Sequence, residues 1–443
     1  MEHIVDASCG KIKGYREGDV YFYRGIPYAK TKRFELPEPY PIEDVFDATV
    51  GETDCYQFSS YIEETSFYAK EFRSGRNFTY AEDFMTLNIV APAEAKKLPV
   101  LVFIHGGGHE TGTVGELPYG LCTEYAKRGI LYVSVGYRLN VFSLYDGRNF
   151  GLHDLVAAVK WLSENIEAFG GDASKITLMG QSAGAMSITD LLYCDKLKGL
   201  IQGVILMSAG GMVPKVAGPW TREQARPFWD EVRAAAGAST EEELKQVEPE
   251  RLWRAWYEVK SKAKGFKAFQ PAIDGEIITD VPQQVFKERK ELDVPIMIGV
   301  TSQDFLPVIL YEVALSWGKD NDKKKKQSVY GYFFDRALPG NRFKAFHGCD
   351  LWYMFGEMKH CWRPFEKMDY ELAGEMQDYV ANFVKTANPN GVGSAGRCLP
   401  NWLPLSGKNK GFRWFDGVSE GHIKPWKCRY KVYKTMLWDK GPM

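Results

Sequence analysis

Residues Ile176–Ser187 read ITLMGQSAGAMS. An apolar run breaks at Gly180, one serine stands among small residues, and an apolar helical pattern resumes through SITDLLYC. A buried strand that turns at a glycine-flanked serine straight into a helix predicts a sharp strand–turn–helix corner. The serine backbone is strained at such a corner, and its hydroxyl projects beyond the sheet edge. The helix that follows aims its free N–H groups at developing negative charge. Small residues also make ordinary tight turns. Ser182 therefore acquires a chemical reading only if partners occur elsewhere in the chain.

The surrounding pattern supplies the sheet. Apolar runs at 98–104 (LPVLVFI), 130–135 (ILYVSV), 176–179 (ITLM), 203–208 (GVILMS), 294–300 (VPIMIGV) and 328–334 (SVYGYFF) have the character of strands buried on both faces. Over 151–169, Leu155, Val159, Leu162, Ile166 and Phe169 recur at helical spacing, and Gly170-Gly171 ends the stripe. Strand and helix alternating in this way predict an α/β fold, a mostly parallel central sheet with helices on both faces. Residues 1–50 alternate over short runs such as DVYFYRGIPYA, which predicts an antiparallel hairpin at one sheet edge. Residues 212–290 are rich in helix formers and charge, with Ser239 or Thr240 as an N-cap. They predict a helical insertion over the sheet, a lid or pocket wall. Leu372, Met376, Tyr379 and Phe383 mark one face of a helix over 366–386, stopped by NPNG. No internal repeat divides the chain, so residues 1–443 are expected to form a single domain.

Composition excludes several functions. Of 443 residues 45% are hydrophobic, enough for a large core, and the formal net charge of −1 gives no global field for nucleic acid. The charge run KDNDKKKK at 319–326 lacks interleaved aromatics and is expected to be a solvated loop. The N-terminal residues show no basic region followed by an apolar one, and no run is long enough to span a membrane. Eight scattered cysteines without metal-ligand spacing predict thiols and a cytoplasmic setting. The sequon Asn77-Phe78-Thr79 is then accidental.

The partners of Ser182 begin with His105-Gly106-Gly107-Gly108, directly after LPVLVFI. Glycines at the carboxyl end of a strand expose backbone N–H groups that can hold an oxyanion. The spacing fits neither a phosphate-binding G-x-x-x-x-G-K-[ST] loop nor a dinucleotide fingerprint.

Taken together, the motifs resemble the type-B carboxylesterase/cholinesterase family of α/β-hydrolases. FYRGIPYA (22–29), EDFMTLNIVAP (82–92), LVFIHGGGH (101–109), GYRLNVFSLYD (136–146), NFGLHDLVAAVKWLSENIEAFGGD (149–172) and GQSAGAMS (180–187) carry the likeness across most of the chain. The resemblance implies an acid within Gly299–Phe305, at Asp304, where the family more usually has glutamate. It implies the base at His347, within Ala345–Phe355. Ser182, Asp304 and His347 then follow in the chain order of this fold. Gly107, Gly108 and Ala183 would supply the oxyanion donors.

Several positions depart from the family. Phe84 stands where Cys55 would find a disulfide partner, His109 replaces an aromatic residue, and Asn140 and Ser143 replace glycines. Phe305 replaces the glycine after the acid. His109 either lines the acyl pocket or lies solvated at its rim. Tyr119, Phe305, Trp352 and Met354 are pocket candidates that could equally be core. The expected function is a serine carboxylesterase acting on small to medium esters, with no cofactor and no metal. The same triad could cleave an amide or carbamate. A non-catalytic adhesion protein of this family would typically lack a triad residue, and here all three positions are filled.

Overall fold

Val100, Val102 and Ile104 face one side of the central sheet while Leu101 and Phe103 face the other, and both sets are buried. This is the two-sided burial that the continuous apolar runs require. The computed structural model describes residues 2–51, 53–58, 66–209, 219–263, 270–281, 284–285, 288, 290–340, 343–417 and 422–423. The principal strands are β1 (Glu2–Ala7), β2 (Gly10–Glu17), β3 (Val20–Pro27), β4 (Thr86–Pro92), β5 (Leu98–Ile104) and β6 (Leu131–Val135). They continue as β7 (Gly171–Gln181), β8 (Gly203–Met207), β9 (Ile296–Thr301), β10 (Val329–Phe334) and β11 (Phe412–Phe415).

Their spatial order is β1-β2-β3-β4-β6-β5-β7-β8-β9-β10-β11. The first four strands pair antiparallel, as the N-terminal alternation predicted, and β4 meets β6 antiparallel. From β6 to β11 every pairing is parallel. The order reverses around β5, which lies between β6 and β7. A reversal of this kind opens a crevice beyond the carboxyl ends of the strands, the usual place for a ligand.

Helices cover both faces. On one side lie α1 (Phe150–Asn165), α2 (Ala183–Leu192), α3 (Arg222–Ala235), α4 (Pro249–Lys262) and α5 (Pro307–Lys324). On the other lie α6 (Leu351–Phe355) and α7 (Lys367–Thr386). Thr221 caps α3 in a reciprocal capping box with Gln224, and Thr240 rather than Ser239 caps the short helix Glu241–Gln246. Phe228, Trp229, Val232, Leu252, Trp253 and Trp256 give the insertion a buried apolar face. Residues 212–218, 264–269, 282–283, 286–287 and 289 of the expected insertion lie outside the described residues.

Two expectations need correction. The strand read as 176–179 begins at Gly171, because the polar segment Asp172–Lys175 forms an irregularity between the Leu98↔Gly171 and Val100↔Ile176 pairings. The charge run is not a loop, although Lys319, Asp322, Lys323 and Lys325 are exposed as expected. Lys319–Lys324 form the end of α5, where Lys324 pairs with Asp320 at 2.6 Å, and just beyond it Lys326 pairs with buried Glu291 at 2.7 Å. Among the described residues no helix is long and apolar enough to cross a membrane.

Candidate active site

Ser182 sits at the carboxyl end of β7 with φ 53° and ψ −123°, a strained backbone for a residue with a side chain. Its N–H donates to the Met207 carbonyl at 2.8 Å, and its own carbonyl accepts from Met186 N–H at 2.9 Å as α2 begins. The corner is tight because Gly184 lies flush against β5. A Cβ there would fall 2.1 Å from the Ile104 carbonyl oxygen. Gly184→Ala is therefore expected to destabilise the fold by about 1–3 kcal/mol, the usual cost of overpacking. Urea unfolding would measure it, and an unchanged midpoint would mean that the corner can relax.

Asp304 and His347 come from the segments that follow β9 and β10. Beyond β9, Gln303 N–H donates to the Ala345 carbonyl at 2.9 Å, and Gln303 forms a parallel bridge with Phe346. This stitch between two irregular segments brings Asp304 beside His347. Asp304 Oδ1 accepts from His347 Nδ1 at 2.7 Å and from Phe305 N–H at 2.9 Å, while Oδ2 accepts from the Thr301 hydroxyl at 3.1 Å. Burial pushes the Asp304 carboxyl up, but the His347 ring and these donors outweigh it, and its pKa lies below the ordinary carboxylate value. Asp304 is thus an anion that holds the imidazole proton on Nδ1 and leaves Nε2 free to accept. The hydrogen bond to Nε2 comes from the Gln181 amide at 3.2 Å. Gln181 must yield that position when Ser182 gives up a proton, and loose contacts of this kind are common in unliganded sites.

The loop after β5 faces this corner. Ile104 pairs with Gly180, so the ends of β5 and β7 stand level. Gly107 has φ 104°, and a Cβ on it would overlap the Thr111 carbonyl oxygen at 1.9 Å. Only glycine can turn the chain there. Gly106, Gly107, Gly108, Ser182, Ala183 and His347 all line one cavity of about 330 Å³. An anionic carboxylate, an imidazole whose Nε2 is held only by a displaceable amide, a strained serine and bare N–H groups can together perform acyl transfer. Among the described residues no group of three or more His, Cys, Asp or Glu is placed to hold a metal ion.

The sequence matches the carboxylesterase family over residues 1–324 and 309–416. This chain belongs to the carboxylesterase family. Gut esterase 1 of Caenorhabditis elegans is 32% identical over 361 residues, covering 77% of this chain and 62% of that protein. Para-nitrobenzyl esterase of Bacillus subtilis (strain 168) is 34% identical over 324 residues, covering 69% of this chain and 63% of that protein. The matched region thus spans slightly less than two thirds of each of these relatives. A solved PNB esterase superposes with a TM-score of 0.81 at 26% identity, over 98% of this chain and 99% of that one. The α/β-hydrolase fold follows.

The pocket candidates part ways in this family member. Tyr119 lines the cavity, and its hydroxyl donates to Glu116 at 2.7 Å. Phe305 also lines it, 53% exposed, with its ring 4.4 Å from that of His347. Trp352 and Met354 do not line it. Both are buried in the core beneath α7, where Trp352 Nε1 donates to Glu71 and the Met354 carbonyl accepts from Tyr125. Neither a solvated rim nor a simple pocket wall describes His109. It is 5% exposed and touches the cavity, but its Nε2 lies 3.0 Å from the Ser187 hydroxyl. Asn140 takes φ 50°, so an asparagine meets the left-handed demand there. Cys55 is a buried thiol whose sulfur accepts from Leu139 N–H.

Sequence reading missed the charged wall of the cavity. Arg73 Nε donates to Glu116 Oε1 at 2.8 Å, both side chains are nearly buried, and both line the cavity. Arg73 caps the short helix Phe67–Phe72 and Glu116 lies among turns 43 positions away, so no local signal pairs them. Gln181 stood inside the quoted motif, but only the fold shows that its side chain turns toward His347.

Proposed function

We propose that this protein is a serine carboxylesterase that hydrolyses small to medium carboxylic esters through an acyl-enzyme. Ser182 Oγ attacks the ester carbonyl while His347 Nε2 takes its proton. Asp304 fixes the tautomer and stabilises the imidazolium. The oxyanion rests on the N–H groups of Gly107, Gly108 and Ala183. As the carbonyl re-forms, the bond to the alcohol breaks and His347 protonates the leaving oxygen. Water then repeats the cycle and releases the acid. The observation that carries this reading is His347, held by buried Asp304 at 2.7 Å, facing the same cavity as a strained Ser182. Family membership supports ester hydrolysis.

The cavity of about 330 Å³ is at the small end of ligand pockets, which favours short acyl chains. We read residues 1–443 as one domain, with 212–290 as an insertion that walls the cavity. Gln270 at its lining and a Lys260–Glu110 ion pair support that reading. Free Cys55, with buried Phe84 at the position of its family partner, supports a reducing, cytoplasmic setting.

The test is a series of p-nitrophenyl esters from acetate to decanoate, with intact-mass detection of acylated protein. The expected result is turnover that falls off at the longer chains, with the acyl adduct on the peptide containing Ser182. Folded protein with neither turnover nor adduct would overturn the proposal.

A further inference from the structure

The two sources of oxyanion donors belong to separate parts of the chain. Gly107 and Gly108 lie on a loop that has left the sheet, and Ala183 opens α2. Donors of this kind act only if they are held within about 0.5 Å of the productive arrangement. Glycines at φ 104° and 68° do not hold themselves. The first side chain after them is His109.

His109 is fixed at both ends. Its carbonyl accepts from Asn140 N–H at 2.6 Å, which ties the backbone to the 139–143 segment. Its ring reaches across 78 residues of sequence to α2, where Nε2 lies 3.0 Å from Ser187 Oγ. The same ring also engages the Ala183 carbonyl. His109 takes φ 60°, a left-handed backbone that histidine tolerates better than most residues with side chains. Ser187 is 1% exposed, so its hydroxyl depends on a protein partner. Burial lowers the His109 pKa to about 4, which keeps the ring a neutral imidazole with one donor and one acceptor.

We propose that His109 is a positioning residue that fastens the glycine loop to the first turns of α2 through Ser187, and so keeps the two halves of the oxyanion hole in register. This rests on the reading of Ser182 as nucleophile. A purely aromatic residue could fill the same space, but it could not make the bond to Ser187. The family position thus carries a polar tie in this chain.

A four-protein cycle tests it: the unmodified chain, His109→Asn, Ser187→Ala and the double variant. Asparagine keeps the left-handed backbone but cannot reach Ser187. Both single variants are expected to lose kcat, His109→Asn by about 10- to 100-fold, in line with small misplacements of reacting groups. KM should stay within a few-fold, because the ground-state carbonyl makes little use of these donors. The double variant should be no worse than His109→Asn, since one tie is lost only once. Affinity for a trifluoromethyl ketone, which forms a tetrahedral oxyanion on the serine, should fall in parallel with kcat. A merely structural role would not link those two losses. Additive losses, or lost kcat with unchanged ketone affinity, would overturn the proposal. If His109→Asn fails to fold, Ser187→Ala carries the test alone, with the same two readouts. Labelling of the unmodified chain by a fluorophosphonate separates the failures. No label at Ser182 would remove the nucleophile reading itself. A label at Ser182 with an indifferent Ser187→Ala would remove only the tie.

Discussion

Ser182→Ala is expected to lower kcat by about 10⁶-fold, the scale seen when a serine nucleophile is removed from a triad. The fold should survive. The Ser182 side chain makes no capping hydrogen bond to α2, and the bond from its N–H to Met207 belongs to the backbone. Alanine keeps the Cβ and must adopt the same strained φ of 53°. Only the attacking oxygen is lost. What remains should be a residual acceleration of about 10³–10⁴ over water, supplied by the oxyanion donors and by binding. Steady-state hydrolysis of p-nitrophenyl butyrate, with a thermal melt on the same samples, reads both quantities. Folded Ser182→Ala protein with undiminished turnover would end the proposed mechanism.

Asp304→Asn is expected to lower kcat by about 10²–10³-fold, less than the roughly 10⁴-fold loss seen when such an amide also imposes the wrong histidine tautomer. The reason lies in the surroundings of the carboxylate. Phe305 N–H and His347 Nδ1 both donate to Oδ1, whereas Thr301 donates to Oδ2. An asparagine that keeps its oxygen at Oδ1 satisfies the fixed Phe305 donor. Its NH₂ can then donate to the Thr301 oxygen, whose hydroxyl is free to rotate. His347 keeps its Nδ1 proton, and the variant loses mainly the negative charge that stabilises the imidazolium. Asp304→Ala should cost more, since it removes orientation as well as charge. If Asp304→Asn is silent, the acid lies elsewhere, and Asp350 is the first alternative. That residue is fully buried, and its carboxyl is pushed up to about 7, chiefly by burial, with the Asp304 charge adding to it.

The sequence carried much of this because the decisive features are local. A corner of five residues, a glycine run and continuous apolar strands each write their physics into neighbouring positions. Asp304 and His347, the proposed acid and base, were singled out only through resemblance, since nothing local in Gly299–Phe305 or Ala345–Phe355 distinguishes a catalytic carboxylate or imidazole from a structural one. Side chains whose meaning depends on distant partners were the ones misread. Trp352 and Met354 stand near His347 in sequence, yet a short helix turns both into the core. Lys324 and Lys326 look solvated until Glu291 approaches them from another segment. His109 and the Arg73–Glu116 pair are legible only once β5, β7 and the loops around them are assembled.

The parallel stitch between Gln303 and Phe346 also bears on synthesis. Parallel strands need long crossovers, and their pairing is slow because loops must close before contacts form. Here Ser182, Asp304 and His347 follow three different strands, and Gln181 and His347, whose side chains meet, are 166 positions apart in sequence. On the proposed mechanism, a growing chain that has emerged only through β7 carries the Ser182 hydroxyl but not His347. Residues 296–347 must emerge and pair before the proposed triad is assembled, and the nascent polypeptide would be inert toward esters until then. Completion of the sheet itself would switch the proposed centre on.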